Sequence, residues 1–479
     1  SVNAGGQISR SIQGKADETA GTNSGYLNAV NNYNVTSPNC NDMFYKEQLA
    51  TGSSDREPDL FSYSFPGKSG KFFLSQSNEP PYMFPEAPLI ITRNGVNYFD
   101  ITDENGIRYR FGQNTSGSSA RESTTSAGGR TTAWHLMEIH SPDTDDLIQI
   151  TYQTVGSVSL SDIEHNITVL DQCYTDTQAN LPCPALDLTV TQVQTTSFTT
   201  QLGIDEIIYK TGKVKFILGP NRLDLPYSPN VKRLDRIEIY RKEGQGYTIL
   251  RTYQLNNDSY FKNLANNTNL RLKLDGITVK DGAGTSINNY SFTYHTNNFS
   301  WDLANHSVKR DWFGFFNGRN NSNLIPNTTI QYQPNTSTPV SNISIGGANR
   351  EPDTTFLKEA VLRRITFPAG GYTEFQFEPH RYSDGGQTKY GGGLRIRRIT
   401  SVTGSSQVMK EYRYGATENG IGIKNFEQNQ FHFIHTQKVR NGCPLEPCSQ
   451  EFRSRMFFSN SVLGPGYEDS PVVYPTVWE

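Results

Sequence analysis

One local pattern recurs along this chain and limits its fold more than any other feature. A Leu or Ile stands three residues before an Ile, a turn of Gly, Asp, Ser or Pro follows, and two large residues spaced by two close the unit. The pattern occupies 133–154, 231–255, 269–295, 360–378 and 393–415. Its opening pairs are Leu136/Ile139, Leu234/Ile237, Leu274/Ile277, Leu362/Ile365 and Ile396/Ile399. Its closing pairs are Ile150/Tyr152, Tyr253/Leu255, Phe292/Tyr294, Phe375/Phe377 and Tyr412/Tyr414. Shorter versions stand at 99–112 and 204–219.

A spacing of two is the period of a strand, so both closing side chains face one way. A spacing of three sends the opening pair to opposite faces of a regular strand. A β-bulge, or a strand buried on both faces, reconciles the two spacings. A helix also accommodates three, but the β-branched neighbours and the turn residues that follow favour strands. The unit is therefore read as a β-hairpin of about twenty residues. A single hairpin is marginal in water, so neighbours must stack edge to edge in a sheet that closes on itself or protects its edges. The expected fold is all-β, with repeated hairpins in one large curved sheet and very little helix.

Composition agrees. Only 34% of residues are hydrophobic, yet the chain holds 25 Tyr and 26 Phe, which suits broad sheets with one wet face. The net charge of −3 and the lack of a basic block give no reason to expect a nucleic-acid or membrane-surface partner. No run is long enough for a transmembrane helix, so membrane insertion is not expected. The chain opens on "SVNAGGQISR" without an initiator Met and is read as part of something longer. One short helix is expected over 42–51, with Asp42 as N-cap and Met43, Phe44 and Leu49 on its apolar side. The Gly/Ser/Thr-rich stretch 112–129 and the Asn/Pro/Thr-rich stretch 317–350 read as exposed loops. Because the hairpin unit occurs on both sides of each, 1–479 is read as a single repetitive segment.

Five cysteines stand at 40, 173, 183, 443 and 448. Cys173/Cys183 and Cys443/Cys448 each sit in a short turn-rich stretch with Pro, which favours local disulfides in an exported protein. Zinc and free thiols remain alternatives, although a zinc site needs four ligands and no His converges on either pair. Cys40 is left over and reads as a buried thiol.

Recognisable chemistry is sparse. His432 and His435 are three apart, on opposite faces of a strand, and His380 follows a strand end beside Arg381. The acidic stretches 100–106 and 143–146 lack the spacing of a calcium loop and read as hairpin turns. The Gly-rich stretch 385–393 lacks the phosphate-loop spacing, and no nucleophile elbow occurs. Trp134, Trp301 and Trp312 read as packing residues. No catalytic, cofactor-binding or metal residue is assigned, no cofactor is expected, and the chain is not expected to be an enzyme. The alternative is a surface-binding module, an adhesin or glycan binder, which would expose its aromatics on one loop face.

The hairpin with its aromatic-x-aromatic closure resembles the rearrangement-hotspot (RHS) or YD-repeat family. More closely, 1–14, 55–73, 99–112 and 390–402 resemble the large secreted RHS proteins of Bacteroidetes-type bacteria, and 470–479 resembles a strand that runs on into further repeats. The stretches 155–230 and 317–350 match least. The resemblance implies a hollow β-shell in a secreted or cell-surface protein, which encloses or displays a C-terminal toxin effector. Its partners would be the rest of its own longer chain, with the further repeats and the effector, and export machinery or a target-cell surface. The family's Asp-rich self-cleavage site has no counterpart in this sequence, so that activity is assigned to no residue.

Overall fold

The computed structural model describes residues 5–20, 24–28, 55, 57–76, 79–125, 128–143, 145–174, 185–263, 270–295, 298–299, 308–333, 338–426, 433–442, 449–459 and 470–479. Among these the chain is nearly all strand, with two single turns of 3₁₀ helix at Tyr26–Asn28 and Phe356–Lys358 and no α-helix. A sheet of 22 strands dominates, and its strand pairings are antiparallel. The helix expected over 42–51 lies outside the described residues. So do Cys40, Cys183, Cys443 and Cys448, and the Cys173 side chain.

The chain divides into two compact units. The first comprises 1–160, 197–256 and 277–288, and the second comprises 161–196, 257–276 and 289–479.

In the first unit, Gln7–Ser11, Leu60–Phe65, Lys68–Phe73 and Tyr82–Phe84 pair in that order. A second run pairs Ile90–Asn94, Tyr98–Thr102 and Arg108–Phe111. Strand Arg130–His140 joins the two runs, pairing with Gln7–Ser9 on one edge and Arg108–Phe111 on the other. Alternation puts Phe61 and Phe72 of the first run against Phe99 of the second and Trp134 of the shared strand. Phe61 and Phe72 stack at 5.1 Å, and Phe99 meets Trp134 edge-on at 5.2 Å. These rings, with Ile8, Ile101, Phe111 and Leu136, form a core closed to solvent. Fully burying a side chain of this size contributes roughly 1.5–3 kcal/mol. The end of Thr191–Tyr209, with Gly212–Asn221, Lys232–Glu243 and Gly246–Asn256, then forms a meander.

The second unit holds another meander, in which the end of Ser286–Tyr294 pairs with Leu362–Thr366, followed by Tyr372–Asp384, Gln387–Thr403 and Ser406–Glu411. Two short strands, Val472–Val473 and Val477–Trp478, pair with Ile423–Lys424 and Arg413–Tyr414.

Neither polar stretch is simply an exposed loop. Within 112–129, Arg121–Thr124 is a strand on Arg130–Trp134, Ala120 is buried, and Thr124 Oγ1 bonds the hydroxyls of Thr132 and Thr199 at 2.9 Å. Within 317–350, Thr328–Tyr332 and Ser341–Ile345 form a hairpin, and Leu324, Ile325, Ile330 and Ile345 are buried. Two of the asparagines there bond backbone through their side-chain amides. Asn317 Nδ2 donates to Asn349 O and Glu351 O, and Asn321 Nδ2 donates to Val308 O and Asn349 O. A side-chain amide both donates and accepts, so a stretch that looks like loop by composition can satisfy itself internally.

Candidate functional site

The repeated unit is where the structure concentrates its specificity, and its odd spacing of three has a direct cause. Phe111 lies opposite Leu136 and Arg110 opposite Glu138, so Met137 is an extra residue. The same shift leaves Asp235 extra between Leu234 and Arg236, Arg363 between Leu362 and Arg364, and Arg397 between Ile396 and Arg398. In each case the bulge falls on the first residue after the opening Leu or Ile. One extra residue resets the alternation, and residues three apart come to share a face.

A bulge takes its backbone out of the regular ladder, so an opening carbonyl needs another donor. Three of the five units supply a tyrosine. Tyr152 donates its hydroxyl to Leu136 O at 2.7 Å, Tyr294 to Leu274 O at 2.7 Å, and Tyr414 to Ile396 O at 2.5 Å. The acceptor is always the first opening residue, and the donor is always the second closing residue. The main chain adds a second bond beside it, from Phe292 N to Asp275 O at 2.8 Å and from Tyr412 N to Arg397 O at 2.9 Å. Burial pushes all three phenols above the usual tyrosine range, so each hydroxyl keeps its proton. In the other two units Leu255 and Phe377 stand at the donor position, without a hydroxyl.

None of the repeat residues is exposed. Ile139, Ile237, Ile277, Ile365, Ile399, Tyr152, Tyr253, Tyr294, Phe375, Phe377 and Tyr412 are half-buried, and Tyr414 is buried. Phe375 and Phe377 stack with centroids 6.4 Å apart, as two residues on one strand face should.

The stretches weighed for chemistry take other parts. Asp103 Oδ1 accepts the amides of Asn105 and Ile107, making 100–106 an acidic hairpin turn. Trp134 is a core residue whose indole donates to Val96 O, and Trp312 lies under the Arg350 guanidinium at 5.3 Å. Trp301, His432 and the His435 side chain lie outside the described residues. Burial pulls His380 down to about 4, and its Nδ1 lies 3.3 Å from the Tyr474 hydroxyl. Gly385 and Gly386 form the turn between Tyr372–Asp384 and Gln387–Thr403. Among the described residues, no group of three or more His, Cys, Asp or Glu is gathered where it could hold a metal.

Sequence reasoning missed the polar braces. Asp17 and Asp59 are both closed to solvent, and each accepts the other's backbone N–H, at 2.9 and 3.0 Å. Burial pushes the Asp17 carboxyl up to about 7. Arg395 is pinned between Tyr414 and Tyr474 at 4.2 and 4.7 Å, and reaches Glu378 at 2.7 Å and Gly420 O at 2.9 Å. Asp311, wholly buried, accepts the amides of Phe313 and Phe315 through Oδ1, and burial pushes it up to about 7. The only local signal was a short Asx-type pattern at Asp311. The other partners lie far apart in sequence.

No protein-family model matches the chain, and no curated protein does. Among solved structures the chain is similar to one titled "Crystal Structure of TcdB2-TccC3", at 11% identity and a TM-score of 0.27. That match covers 83% of this chain, which spans 18% of the length of the other.

Proposed function

We propose that this chain is architecture: a non-enzymatic shell or scaffold segment of a large secreted or cell-surface RHS-repeat protein that encloses or displays an effector. The observation that carries this reading is the bulged hairpin with its tyrosine clasp, which recurs in both compact units. Its aromatic pairs are turned into the packing and not out on a loop face, where a glycan binder would present them. Cross-strand pairs of this kind contribute about 0.2–1 kcal/mol each, and their recurrence favours a sheet built for extent.

The test is turnover and what controls it. The purified chain is expected to show no hydrolysis of glycan, peptide or nucleotide substrates. Reproducible hydrolysis, abolished by one acid or histidine substitution that leaves the melting temperature unchanged, would overturn the reading. Electron cryo-microscopy of the longest native protein that carries this sequence should show these hairpins as the wall around enclosed density.

A further inference from the structure

Tyr82–Phe84 and Ile90–Asn94 face a gap in the first unit, and each is hydrogen-bonded to one neighbouring strand. A cavity of about 450 Å³ opens between them, with Leu74, Met83, Leu89, Ile91 and Phe99 as its walls and floor. The strand pattern explains its apolar character. Met83 lies opposite Phe72 and Ile91 opposite Ile101, so both point to the core side. Cavities of this size and lining are typical of small-molecule sites.

One cation, Arg93, and one carboxylate, Glu79, sit on the rim. Arg93 lies opposite Phe99 and shares the face of Ile91, so it stands over the apolar space. Among the described residues it has no hydrogen-bond or ion-pair partner. Arg93 is exposed, yet partial desolvation by the packing around it draws its guanidinium below the usual range, and the more distant Asp17 and Glu18 act in the other direction. Those two acids do not neutralise it at contact. Glu18 is 2.7 Å from Arg10 and 3.8 Å from Arg130, while Asp17 is braced against Asp59. Ile90, which lines the mouth, is 66% exposed, and Tyr82 and Phe84 outside it are 60% and 72% exposed.

We propose that this cavity binds a single-chain anionic amphiphile, with its alkyl chain between the two strand edges and its head group on Arg93. The volume fits: at roughly 30 Å³ per methylene, about the share of liquid volume taken by a water, ten to twelve carbons fill most of it. The head is anionic in this proposal because Arg93 offers a planar fork, unpaired among the described residues, that suits a carboxylate or phosphate, whereas the lining carboxylate Glu79 already takes the Tyr82 hydroxyl at 3.4 Å.

The experiment titrates the full chain with dodecanoate and with dodecanol by calorimetry, alongside phosphatidylglycerol vesicles to separate a free amphiphile from a lipid surface. The proposal expects saturable one-to-one binding of dodecanoate. Arg93→Ala should weaken it about tenfold and leave dodecanol unchanged, and Met83→Trp, which fills the cavity, should weaken both at least tenfold. Shortening the chain should cost about fourfold per methylene. A diazirine-bearing dodecanoate should label peptides within 74–99, a readout on the wild-type chain that does not depend on the variants folding. Absence of saturable binding, equal affinity in Arg93→Ala, labelling elsewhere, or vesicle capture without uptake of free dodecanoate would each overturn it.

Discussion

Removing one oxygen atom tests the clasp. Tyr152→Phe deletes the hydroxyl that serves Leu136 O and leaves the ring in place, 4.9 Å from His135. A hydrogen bond contributes about 0.5–1.5 kcal/mol net, and stranding a buried acceptor costs about 1–3 kcal/mol. Leu136 is closed to solvent and sits beside the bulge, so the stranded carbonyl has no water to turn to. The expected loss is about 2 kcal/mol. Native-state hydrogen exchange reads it locally, without requiring the two units to unfold together. Amide protection along Arg130–His140 should fall about thirtyfold. Tyr98→Phe is the control, because the Tyr98 ring packs under Arg110 at 4.3 Å and its hydroxyl has no described partner. Phe377→Tyr is the converse, restoring the donor position in a unit that lacks it. Protection within threefold of wild type in Tyr152→Phe, or an equal fall in the control, would refute the assignment of the clasp.

Arg395→Lys should cost about 2–4 kcal/mol in urea unfolding, because lysine cannot reach Glu378 and Gly420 O together while stacked between two rings. Asp311 has a carboxyl at about 7 against an ordinary 3.8, so the folded state holds its proton more tightly. Its contribution to stability is therefore greatest below about 4 and is lost as pH rises through about 7. Asp311→Asn keeps the oxygen that accepts both amides, and its melting temperature relative to wild type should rise between pH 5 and pH 8. His380 works in the opposite sense: with its pKa drawn from 6.5 to about 4, it costs stability as pH falls through that window. His380→Phe preserves the stack on Tyr474 and should hold its melting temperature better than wild type at pH 5. Gly112→Ala should destabilise by at least about 2 kcal/mol, since its φ is +86° and a Cβ would meet Trp134 Cδ1 at 2.4 Å.

The hairpins were legible because their signal is local. Opening pair, turn and closing pair lie within about twenty residues, and the conflict between spacings of three and two called for either a bulge or a strand buried on both faces; the structure has the bulge, at Met137 and Arg397 among others. The tyrosine clasp was not legible, because a carbonyl acceptor leaves no mark on residue identity. The braces were hidden by distance: Asp17 and Asp59 are 42 residues apart, and Arg350 reaches Ser459 across 109. Composition misled at 317–350, where asparagines that normally face water hold each other's backbone and a small hydrophobic cluster is built around Ile325, Ile330 and Ile345. The amphiphile cavity had no signature either, since Met83, Ile91 and Arg93 are unremarkable until two strand edges fail to meet.

The bulge and clasp together act on error as well as on shape. Donor and acceptor are separated by 16, 20 and 18 residues in the three clasped units, so the turn between them varies while the anchor points do not. In a long antiparallel sheet a slip of one residue flips every later side chain to the wrong face. Here each clasped unit carries its own synchronising mark, where only one alignment puts a hydroxyl on the carbonyl of the first opening residue. A slip of one residue within a clasped hairpin would forfeit that hydrogen bond. Turns are left free to lengthen, shorten or change sequence over generations without scrambling the faces of the sheet.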